Sequence, residues 1–126
     1  IDIVGLGDIN GVTAISLGTA AATFNMGTLT FNSTGAVAIS EDSAMDIVGV
    51  NTAGSANLDS TATIDDTGST SIDIVGLGDI NGVTAISLGT GAATLTVGSL
   101  TFNSAGIVTI IEMMPLIWPG VVRLQP

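Results

Sequence analysis

The stretch IDIVGLGDINGVTAISLGT, Ile1–Thr19, returns letter for letter at Ile72–Thr90, an offset of 71. The match continues through LTFNSTGAVAISE (Leu29–Glu41) against LTFNSAGIVTIIE (Leu100–Glu112), and 32 of 41 aligned pairs are identical. Identity of this degree marks a recent duplication, and internal repeats decide an architecture before secondary structure is assigned. A finer similarity lies inside the unit. FNSTGAVAISEDSAMDIVG (Phe31–Gly49) aligns with LDSTATIDDTGSTSIDIVG (Leu58–Gly76) at an offset of 27. Taken as the coil length, two steps of 27 and a remainder of 17 complete the unit. That predicts three coils per unit, averaging about 24 residues each.

Apolar and polar side chains alternate within the segments, as in Leu29-Thr30-Phe31, Val37-Ala38-Ile39, Met45-Asp46-Ile47 and Ile72-Asp73-Ile74. A period of two puts every second side chain on one face of a strand. GDING, NTAGS and DDTGS separate the strands with turn residues. No stretch carries a capped helical period. A coil of three short strands cannot bury its apolar face alone, whereas stacked coils can, each rung bonding to the next. The fold expected is all-β: a right-handed parallel β-helix, or β-solenoid, of about five coils. The alternative is an antiparallel β-sandwich. In domain terms, residues 1–112 form the solenoid, made of a 71-residue unit (1–71) and a partial second copy (72–112).

Composition narrows the chemistry. Eleven acidic residues face one Arg and no Lys, for a formal net charge of −10, and His, Cys and Tyr are absent from all 126 residues. Imidazole bases, ordinary zinc sites, phosphate loops and lysine Schiff bases are therefore excluded. Nucleic acid and anionic membrane surfaces, which bind through Lys and Arg, are not expected partners. The most apolar run, Gly106–Val122, is broken by Glu112, Pro115 and Pro119, so no membrane span is expected.

Several motifs invite chemistry. Asp8-x-Asn10-Gly11 and Asp79-x-Asn81-Gly82 have the opening spacing of a calcium loop, although Val12 and Thr13 follow where further acidic ligands would stand. Such turns also form without metal. Glu41, Asp42 and Asp46 cluster in one segment and Asp65 and Asp66 in another, and a 27-residue coil would set Asp46 one rung from Asp73. Asp8, Asn10, Asp79, Asn81, Asp65 and Asp66 are the candidate Ca²⁺ ligands, Ca²⁺ being the one cofactor considered; solvated acidic turns are the plainer reading. No catalytic residue is assigned. Ser16 and Ser87 sit in an A-x-S-x-G pattern like a nucleophile elbow, but the base that elbow needs is missing. Thr28-Leu29-Thr30, Thr61-Ala62-Thr63 and Thr94-Leu95-Thr96 suggest the hydroxyl rows of an ice-binding solenoid, and Thr is also a good strand residue.

Residues 113–126 break the pattern, carrying all three Pro, the Trp and the Arg. Read one base out of frame, the codons from Glu112 to Gly120 permit D-D-A-x-D-L-A-G, close to Asp42–Gly49 of the first copy. The tail is therefore expected to be a frameshifted third repeat, the alternative being an atypical end cap. At LTFNSTGAVAISEDSAMDIVG and NTAGSANLDSTA the chain resembles repeat regions of very large, filamentous-haemagglutinin-like bacterial surface proteins. The resemblance covers Ile1 to about Glu112 and implies a secreted or cell-surface β-helix serving in adhesion or as a stalk. The expected function is that of a structural, adhesive module without catalysis of its own. An acid-only or calcium-assisted hydrolase, or a calcium- or ice-binding solenoid, are the alternatives. A homo-oligomer formed through open solenoid ends and the apolar tail is expected.

Overall fold

In the computed structural model the described residues are 1–19 and 22–113, so the frameshift expectation for the tail falls outside them, apart from Met113. The strands are β1 (Asp2–Asn10), β2 (Ala14–Leu17), β3 (Asn25–Asn32), β4 (Ala36–Glu41), β5 (Met45–Ile47), β6 (Val50–Ala53), β7 (Ser55–Ser60), β8 (Thr63–Asp66), β9 (Ser71–Gly82), β10 (Ala85–Leu88), β11 (Thr94–Asn103) and β12 (Val108–Ile110). No helix occurs among the described residues. Every pairing is parallel and joins strands about one coil apart, so the chain winds as a β-solenoid of about five turns. The antiparallel sandwich is excluded by those pairings.

The solenoid has three faces. One stacks β5, β8, β10 and β12. The second stacks β6 on the first halves of β9 and β11. The third stacks β2, β4 and β7 on the second halves of the same two strands. The long β3 spans the first two faces, with Leu29 opposite Ile47 and Asn32 opposite Thr52. β1 lies on β3, with one shift of register between Ile3 and Leu6.

Inward positions stack like on like. Leu17, Ile39, Leu58, Ile80 and Phe102 form one column, climbing in steps of 22, 19, 22 and 22. A coil is thus about 21 residues long, shorter than the average of about 24 residues that three coils per unit would give. Met45, Ile64, Ile86 and Val108 form a second column. All but Val108 are fully buried. A polar side chain also stands in the interior. Asn51, wholly buried, lies between Phe31 and Ile72, and its Oδ1 accepts the Phe31 N–H at 2.8 Å. Its amide donates to the carbonyls of Val48 at 3.0 Å and Ser71 at 3.2 Å, so it pins three successive coils together.

The 27-residue similarity is real but is not a coil. From Asn32 one turn leads to Thr52, a step of 20, and seven more reach Asp59 on the next face. Asp46 accordingly stands opposite Asp65, and Asp73 opposite Thr52 and Thr96, which corrects the expected pairing of Asp46 with Asp73. The same step governs the whole unit. Ile9 stacks through Phe31 and Asn51 to Ile72 in three turns, whereas its sequence counterpart Ile80 stacks on Leu58, Ile39 and Leu17. The 71-residue unit is therefore three turns and one side, and the second copy sits one face further round.

Two substitutions measure these supports. Leu58→Ala, at a fully buried rung, should cost about 2–5 kcal/mol in a denaturant melt. Asn51→Ala should cost about 1–3 kcal/mol, because it leaves the buried Phe31 N–H without a partner.

Candidate functional site: a corner trough formed twice

Five corners share one local chemistry: Asn10-Gly11-Val12, Asn32-Ser33-Thr34, Asp59-Ser60-Thr61, Asn81-Gly82-Val83 and Asn103-Ser104-Ala105. Where the middle residue is Ser, its hydroxyl accepts the N–H two residues on. The distances are 3.1 Å for Ser33 and Gly35, 3.0 Å for Ser60 and Ala62, and 3.1 Å for Ser104 and Gly106. These local bonds let the backbone leave the ladder without stranding a donor. Where the middle residue is Gly, close packing requires it. A Cβ on Gly11 would lie 2.3 Å from the Ala14 carbonyl oxygen, and one on Gly82 2.6 Å from that of Ala85.

Stacking turns the corners into troughs along the solenoid. Where the second copy stacks on the first, Ser40 and Asp59 of the first unit and Asn81 and Asn103 of the second follow one another in register as one wall. Thr61, Val83 and Ala105 form the other, and the trough encloses about 570 Å³. The first copy builds a smaller one of about 300 Å³ from Asn10, Asn32 and Thr52 facing Val12 and Thr34. The two lie on neighbouring faces and have different strands around them. The two troughs share the repeated corners Asn10/Asn81 and Asn32/Asn103, while Asp59 and Thr61 of the first unit extend the larger one.

Side chains of the polar wall bond along and across rungs. Asn103 Nδ2 donates to Asn81 Oδ1 at 3.0 Å, and Asn81 Nδ2 donates to Asp79 Oδ1 at 3.2 Å. Thr101 Oγ1 donates to the same carboxylate oxygen at 2.9 Å. In the first copy Asn10 Nδ2 donates to Asp8 Oδ1 at 3.2 Å, and Thr52 Oγ1 to Asn32 Oδ1 at 3.0 Å. The Asp-x-Asn pairs are therefore turned toward each other, an amide donor meeting a carboxylate acceptor.

The remaining candidates do not converge. β8 points Asp65 outward and Asp66 inward, so the two neighbours occupy opposite faces of one strand. Asp66 stands next to Ile47 in the interior and accepts the Gly89 N–H at 2.9 Å. Among the described residues no group of three or more carboxylate, His or Cys side chains is placed to hold a metal ion. Ser16 is exposed on β2, 3.4 Å from the hydroxyl of Thr19. The three Thr triplets do not stack on one another: Thr30 pairs with Asp8, Thr63 with Ala85 and Thr96 with Asp73.

Glu41 is a buried acid that the sequence alone groups with the surface carboxylates. Its Oε1 accepts the Met26 N–H at 2.9 Å, while Oε2 is buried without a partner. The counterpart Glu112 reaches the Val97 N–H at 3.2 Å, so each copy uses its Glu to cap the strand beside a break in register. Burial raises the Glu41 carboxyl above its ordinary 4.5, against the lowering effect of the Met26 and Ser43 hydrogen bonds. Burial likewise raises Asp66 and Asp46 above 3.8, opposed by hydrogen bonds from Gly89 and Thr67, with the Asp65 charge adding to the rise in both.

No family model matches the chain, and no curated protein or solved structure shows significant similarity to it.

The three raised carboxyls set a direction for pH. The native state holds their protons more tightly than the unfolded chain, so stability falls as pH rises through the native values. Thermal melts should therefore show the melting temperature rising as pH is lowered from 7, the gain from these groups ending below their ordinary 4.5 and 3.8. Glu41→Gln should raise the melting temperature at neutral pH and flatten that dependence.

Proposed function

We propose that this chain is a structural and adhesive module: part of a repetitive bacterial protein, secreted or held at the cell surface, whose solenoid extends by adding units. One observation carries the reading. The duplicated sequence does not fold as a second body but continues the ladder of the first, rung on rung, through β7–β9 and β8–β10. Additive stacking of this kind is how repeat proteins gain length without a larger core. The terminal strands support association between chains. Among the described residues β1 pairs only with β3, β11 only with β9 and β12 only with β10, leaving one edge of each ladder open at either end. Open edges of parallel sheet accept further strands.

X-ray scattering on the chain and on a version carrying one more 71-residue unit tests the reading. The rod should lengthen by about 16 Å, since three turns and one side stack at about 4.8 Å per rung. The longer protein should also melt as one body. A particle that thickens without lengthening, or that melts as two independent bodies, would sink the proposal.

A further inference from the structure

The two troughs point to a ligand. We propose that each corner trough binds an uncharged polyhydroxylated chain, a neutral glycan, lying along the solenoid axis. The proposal rests on the adhesive reading and names the chemistry that such a module would grip.

The polar wall of the second trough presents Ser40, Asp59, Asn81 and Asn103 on four successive rungs. At about 4.8 Å per rung that wall is roughly 14 Å long. Amide N–H groups donate, while carboxylate and amide oxygens accept, so each rung meets hydroxyls that do both. The Asp59 carboxylate, midway along the wall, takes no hydrogen bond among the described residues, leaving both oxygens for ligand hydroxyls. Across the trough Val83 is 58% exposed, and Ala105 stands beside it. A sugar ring has the matching anatomy, with hydroxyls on its edge and C–H bonds on its face. Sites of mixed character, apolar with a few placed polar groups, are the usual form of small-ligand pockets.

Charge selects within the class. The chain carries a formal net charge of −10, and neither trough wall contains a cation. Uronate, sulfated and sialylated chains are therefore repelled, and neutral ones are not. Repetition is the independent support. The first copy rebuilds an Asn-lined wall facing Val12 and Thr34 on a different face, against different neighbouring strands. The two-rung Asn wall and its apolar partner thus survive a change of surroundings, while the Asp59 rung is particular to the larger trough.

The test is calorimetric titration of the full chain with cellohexaose, maltohexaose and, as an anionic control, hexagalacturonate. At least one neutral hexaose should bind saturably, and the control should not. Asn103→Ala removes an exposed member of the wall and should weaken the second-copy site about tenfold. Ala105→Glu fills the trough from an exposed position and should abolish that site while leaving the first-copy site. Far-UV circular dichroism and melting verify that both variants keep the fold. The proposal is overturned if neither neutral hexaose saturates at millimolar concentration. It is equally overturned if the anionic control binds more tightly, or if both variants bind as the parent does. Rod lengthening is read separately: a rod that grows with added units yet binds no hexaose removes this proposal and leaves the structural reading standing.

Discussion

The in-register parallel ladder is the constraint on which everything else depends. A parallel pair aligns residue with residue, so a coil must return its chain one rung on with inward side chains above inward side chains. A slip of one residue would turn a whole strand inside out. Each coil therefore has to close at a length that preserves the alternation, and the corners absorb whatever variation the sequence brings. Steps of 22 and one of 19 coexist along the Leu17 to Phe102 column because the corners, and not the strands, change length.

Polar groups inside the ladder follow from the same constraint. Where a strand breaks register or a face turns early, backbone donors point into the interior with no rung to receive them. Buried Glu41 supplies a carboxylate oxygen to such a donor at Met26, and its exposed counterpart Glu112 does the same for Val97 at the last described turn. Asn51 does the same at the short coil, and Asp66 at Gly89, whose φ of 73° turns its N–H inward. The interior is thus aliphatic by column and polar at its irregularities. That places desolvated carboxylates in a core otherwise made of Ile, Leu and Val with Phe24, Phe31, Met26 and Met45.

Much of this is legible in the residues. Duplication, alternation and turn chemistry point to parallel stacking, to the strand segments and to the number of coils. The coil length is misleading for a physical reason. Similarity between Phe31–Gly49 and Leu58–Gly76 records shared corners, since Asn32-Ser33-Thr34 and Asp59-Ser60-Thr61 turn the chain in the same way. A corner says how the chain turns and not which face it leaves. The better signal is the return of Asn-Gly as Asn-Ser at a spacing of 22, from Asn10 to Asn32 and again from Asn81 to Asn103. The inward acids are hidden by their neighbours, although Glu41 continues the alternation of Val37 and Ile39, and Asp66 that of Ile64. Glu41 and Asp66 adjoin Asp42 and Asp65 in sequence, and only the pleat separates buried members from solvated ones.

The one-side advance of each unit bears on how such a gene changes. Nearly identical DNA repeats recombine, gaining or losing whole units in a single event. In a protein whose faces were specialised, a unit that landed one face round would meet the wrong neighbours. Here the identical strand already lies on β3 in one copy and against β7 and β11 in the other. Its sequence is compatible with either setting. Insertion or excision of a unit therefore rotates the remainder by a side and leaves the ladder intact, so this design tolerates abrupt changes in copy number.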